Sequence, residues 1–150
     1  KTSEGEDRHR RALYTYLRRS VPHPSLTTFD GTNREVCLSR RVPTNTPLQA
    51  LLTLNDPAVL EAAVFLARDV AATGATPEAK IAAVHERLLY RAPTPANAAT
   101  LRELYRESLD HYTADPAATK ALAGADTPEL AALTVVVNAL FNLDEFLTKS

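Results

Sequence analysis

The chain has 150 residues, enough for one domain with a real core, and its 45% hydrophobic and 23% charged residues are ordinary for a soluble globular protein. Four glycines leave little material for a phosphate-cradling loop, and the single cysteine, Cys37, excludes an internal disulfide, a CxxCH haem attachment and a multi-thiolate zinc site. A net charge of −1 conceals a basic end, +4 over residues 1–41, and an acidic remainder of −5, which reads either as an unevenly charged solvated surface or as a polarity that steers an anionic partner.

In chain order, the first predicted element is HRRALYTYLRRS (9–20), where Leu13, Tyr16 and Leu17 share a helix face among arginines. Residues 21–45 then form a long irregular stretch carrying Pro22, Pro24, Gly31 and Pro43. Loops of about twenty residues are uncommon inside compact domains and are often functional. This loop holds His23, the one histidine retained as a candidate contact.

The run NREVCLSRRVPTNTPLQALLTLND (33–56) is the densest in polar chemistry. Arg34, Arg40 and Arg41 read either as a solvated face or, with Asn45, as a ligand or partner contact. A guanidinium grips carboxylate or sulfate through two parallel hydrogen bonds. Cys37, between Val36 and Leu38, reads as an inert buried thiol. Thr46-Pro47-Leu48-Gln49 fits a capping box, with Thr46 and Gln49 bonding each other's backbone amides. LQALLTLN is then a short helix, and Asp56 caps the next.

Thr46-Pro47, Asp56-Pro57, Thr76-Pro77, Thr94-Pro95, Asp115-Pro116 and Thr127-Pro128 all read as helix starts. Thr or Asp accepts from an otherwise unpaired amide, and proline at the first helical position lacks only an N–H that has no partner there. The following segments carry helical stripes: Val59/Ala63/Leu66/Val70, Ile81/Val84/Leu88 and Leu101/Tyr105/Leu109/Tyr112. LAALTVVVNALF (130–141) is apolar on nearly every side, too short to span a membrane, and is the predicted central helix. The fold class is all-α, an irregular bundle of about six helices with a long irregular N-terminal loop. The whole span 1–150 is expected to be a single helical domain. A chain without Met that starts at Lys1 is further expected to be part of a longer polypeptide.

Catalytic signatures are missing from the sequence. His9, His23, His85 and His111 lack any recognised metal spacing, so no metal site is expected. His85 beside the Ile81/Val84/Leu88 stripe reads as a boundary residue, and Asp144-Glu145 as a cap or turn. No G-x-S-x-G, P-loop or dinucleotide fingerprint occurs, and no catalytic residue is assigned. Tyr14 and Tyr16 among arginines do not outweigh the slightly negative total charge, so nucleic acid is not an expected partner.

Three runs, RRALYTYLRRSVPHPSLTTFD, REVCLSRRVPTNTPLQALLTLNDP and NALFNLDEFL, resemble the planctomycete PSD-one family. This is a domain of unknown function from Planctomycetes and Verrucomicrobia. The resemblance implies a place near the C-terminus of a large exported protein, periplasmic or at the cell surface. It also implies another domain of unknown function ahead of it, often with a planctomycete-type cytochrome c domain. It transfers Arg34, Glu35, Cys37, Arg40, Arg41, Asn45, Thr46, Pro47, Gln49, Asn55 and Asp56 as signature positions only, with no catalytic role and no haem. The expected function is a non-catalytic helical interaction or structural module that packs on the preceding domains of its parent and needs no cofactor in this chain. The alternative is part of an enzyme or binding protein acting on an anionic glycan through the arginine-rich loop.

Overall fold

A computed structural model describes residues 14, 21–31, 44–125 and 127–147. Among them eight helices follow one another, without strands: α1 (Pro24–Thr28), α2 (Pro47–Asn55), α3 (Pro57–Ala71), α4 (Pro77–Leu89), α5 (Pro95–Ala114), α6 (Pro116–Ala123), α7 (Pro128–Phe141) and α8 (Asp144–Leu147). The all-α class holds, and α2 to α7 are the six longer helices. The additions are α1 and α8, five and four residues long. Helix α1 falls inside the stretch expected to be wholly irregular, because Pro24 supplies a helical φ and the His23 carbonyl accepts from Leu26 and Thr27 at 3.0 and 3.2 Å. Among the described residues no single helix is long and apolar enough to cross a membrane.

Each helix from α2 to α7 opens on proline. Five of the six preceding residues cap with their side chains. Thr46, Thr76 and Thr94 accept from the amide three residues on, at 3.3, 3.4 and 3.2 Å. Asp56 accepts from Ala58 at 2.8 Å, and Asp115 from Ala117 and Ala118 at 3.1 and 3.0 Å. Thr127 is the exception: it makes no side-chain cap bond, and only its carbonyl serves α7, accepting from Leu130 and Ala131. This difference sets an expected result. Asp115→Ala should lower stability by about 0.5–2 kcal/mol, whereas Thr127→Ala should stay within about 0.5 kcal/mol. Paired urea titrations check it, and equal losses would contradict the assignment.

The chain divides into two units, Lys1–Leu52 and Thr53–Ser150. The core of the second is built on α7, which packs against α3, α4, α5, α6 and α8. Ten of its fourteen residues are buried, which is why its apolar residues occupy every side. Thr134, one of two polar residues buried in it, donates to the Leu130 carbonyl at 2.8 Å and so carries no unpaired donor into the core. Ala63 and Ala67 of α3 and Ala131 of α7 have no exposed surface, and such small side chains allow close helix approach. Polar contacts close the periphery. Arg68 of α3 donates to the Ala123 carbonyl at the end of α6 at 2.6 Å, beside Gly124, which ends that helix at φ 68°. The Thr119 hydroxyl joins α6 to α5 by a 2.6 Å bond to the Tyr112 carbonyl.

Candidate functional site

The motif region folds locally into a polar knot within the first unit. Thr46 and Gln49 satisfy each other: the Thr46 amide donates to Gln49 Oε1 at 2.9 Å, and the Gln49 amide donates to Thr46 Oγ1 at 3.3 Å. The Gln49 side chain then reaches back along the chain. Its Nε2 donates to the Thr28 carbonyl at 2.8 Å and to Thr44 Oγ1 at 3.1 Å, and lies 3.4 Å from Asp30 Oδ2. Asp30 accepts from the Thr44 amide at 2.7 Å and from the Thr44 hydroxyl at 2.8 Å. Gln49 is only 2% exposed, so its own side-chain bonds are partly shielded from water, where an unmade one is costly.

The backbone before the knot is specialised. Asp30 sits at φ 56°, a left-handed conformation that Asp tolerates better than most residues. At Gly31 a Cβ would stand 2.4 Å from the Leu26 carbonyl oxygen, which accepts the Gly31 amide at 2.6 Å, so only glycine fits. These features hold the end of α1 to the start of α2.

The other candidate contacts have different placements. Arg34, Arg40 and Arg41 lie outside the described residues, as do Glu35 and Cys37. Asn45 is exposed, immediately before the capping box. His23 is the residue before α1; its side chain makes no cap bond and it is exposed. Asp56 caps α3 in the second unit. The structure therefore gathers Thr46 and Gln49 with Thr28, Asp30 and Thr44, three residues that sequence reasoning did not select. Asp30 and Gln49 lie nineteen positions apart, and no local spacing rule connects them.

In the second unit the expectation for His85 needs correction. It is 1% exposed rather than at a boundary. Helix α4 is contacted by α3, α5, α7 and α8, so its covered face is wider than its apolar stripe. His85 Nδ1 lies 2.9 Å from the Arg91 carbonyl, which can only accept, so Nδ1 carries a proton. Nε2 is buried without a partner. The same turn places Tyr90, 91% exposed, at φ 56°, where glycine is the usual occupant. Surface ion pairs join Arg87 to Asp69 and Arg91 to Glu145, which with Asp144 opens α8. Burial raises the pKa of the Tyr105 and Tyr112 phenols, and the Glu129 and Glu78 carboxylates add to the rise at Tyr105. Among the described residues no three His, Cys, Asp or Glu side chains gather as a metal site.

No curated protein and no solved structure matches this chain. A family profile does, over residues 1–105, a span that contains the knot, the arginine-rich run and the first four helices. The chain belongs to the PSD1 family, described as proteins of unknown function (DUF1553).

Proposed function

We propose that the chain is a non-catalytic helical interaction or structural module of a larger exported bacterial protein, packing on a preceding domain of its parent. One observation carries this reading. The motif's polar residues Thr46 and Gln49 are engaged in holding the backbone, while the same helix turns Leu48 and Leu51 outward, each 61% exposed. Leucines three apart on α2 share a face, and water-facing apolar side chains beside a fixed scaffold suit a protein contact. In this reading Arg34, Arg40, Arg41 and Asn45 are further partner-contact residues, and the chain uses no cofactor of its own.

The test titrates this chain against the preceding domains of the parent protein. Leu48→Asp with Leu51→Asp should weaken binding at least about tenfold, equal to about 1.4 kcal/mol, with the melting temperature nearly unchanged. Unaltered affinity would remove the reading. A parallel panel of sulfated and carboxylated glycans addresses the alternative. Saturable glycan binding that Arg40→Lys and Arg41→Lys weaken would replace the module reading with anionic-glycan recognition.

A further inference from the structure

Beside α7, within the second unit, lies a cavity of about 400 Å³. Leu60, Leu104, Leu122 and Val135 give it apolar walls, and among the described residues no Lys, Arg, Asp or Glu lines it. The polar side chains that reach it among the described residues are Tyr112, Thr134 and Asn138. The Thr134 hydroxyl is occupied by the Leu130 carbonyl. The other two have spare capacity. The Tyr112 hydroxyl makes no hydrogen bond among the described residues. Asn138 donates from Nδ2 to the Leu54 carbonyl at 3.3 Å, but its Oδ1 is buried without a partner. Asn138 itself is 8% exposed. A buried amide oxygen left unpaired is costly, and natural cores rarely keep one without a use.

We propose that this cavity binds a neutral, mostly apolar small molecule bearing a hydroxyl, of the size of a medium-chain alcohol. The volume falls within the range of about 300–1,000 Å³ typical of ligand pockets, which pair apolar walls with a few polar groups. Because the described lining carries no charge, a carboxylate or ammonium would lose its hydration without compensation there, which selects a neutral ligand. The Tyr112 hydroxyl meets the ligand hydroxyl as donor or acceptor. Asn138 Oδ1 is closed to water as it stands. A turn about the last, soft torsion of the side chain presents it to the ligand and gives up one bond, the 3.3 Å contact to Leu54.

The experiment uses the whole chain and octan-1-ol as probe, followed by calorimetry and by melting temperature. Saturable one-to-one binding with a raised melting temperature is expected, with octanoate and octylammonium at least about tenfold weaker. Tyr112→Phe should weaken octanol binding about three- to tenfold through the lost hydrogen bond. Ala139→Phe, at the cavity wall, should abolish it by filling the space. If that variant folds poorly, Val135→Phe fills the same space from the next position along the wall. Absent or non-saturable binding to the wild-type chain would overturn the proposal. So would equal affinity for the charged analogues, or binding that Tyr112→Phe and the filling variants leave unchanged.

Discussion

Leu133→Ala is expected to lower the stability of the second unit by about 2–5 kcal/mol. Leu133 is 2% exposed at the middle of α7, the helix against which α3, α4, α5, α6 and α8 pack. Truncation removes the transfer energy of the side chain and leaves a cavity between helices that cannot all close on it. For a unit of about 100 residues each kcal/mol corresponds to about 4–8 °C, so thermal unfolding followed by circular dichroism reads the effect directly. Phe65→Ala is the matched control. Its side chain is larger but 74% exposed on α3, and the change should stay within about 0.5 kcal/mol. A Leu133→Ala loss below about 1 kcal/mol would mean that α7 is not the centre of the core.

The second large effect is expected at Gln49. Gln49→Leu should cost about 1–3 kcal/mol, because it strips partners from the Thr46 amide and the Thr28 carbonyl. Gln49→Glu is the sharper variant. Glu keeps the oxygen that accepts the Thr46 amide and is itself a favoured capping-box residue. It loses the donor to Thr28 and Thr44 and sets a carboxylate near Asp30 Oδ2, where Nε2 now lies at 3.4 Å. If capping were the whole role of Gln49, Glu would be silent. The knot predicts a loss at least as large as that of Leu, since a second carboxylate is then set beside Asp30 and the donor bonds to Thr28 and Thr44 are lost. Amide hydrogen exchange at Thr44 and Gln49 locates the change, and protection there should fall in both variants. Full protection with Glu would show that the long-range bonds contribute nothing.

The two sites differ in how far they can be read without a structure. Thr46 and Gln49 stand three residues apart on one helical turn, so their reciprocity is a local spacing. The same holds for Asp56, Thr76, Thr94 and Asp115 before their prolines. Thr127 has the same dipeptide, yet its backbone, at φ −129° and ψ 90°, leaves the hydroxyl without an amide. A dipeptide states that a helix begins; it does not specify the torsions of the residue that precedes it.

The starts of α2 to α7, the all-α class and the central place of residues 128–141 were determined by the sequence itself. Proline torsions, cap chemistry and apolar periodicity act within a few residues, and a segment apolar on every side has to be interior in water. Tertiary structure alone decided the burial of His85, the unpaired oxygen of Asn138 and the joining of Thr28, Asp30 and Thr44 to Gln49. Each depends on chain segments far apart in sequence. Helix α4, which carries His85, packs against α3, α5, α7 and α8, and the Asn138 bond reaches Leu54, 84 positions away. No periodicity encodes which distant backbone a side chain will meet, because that is set by how whole helices pack.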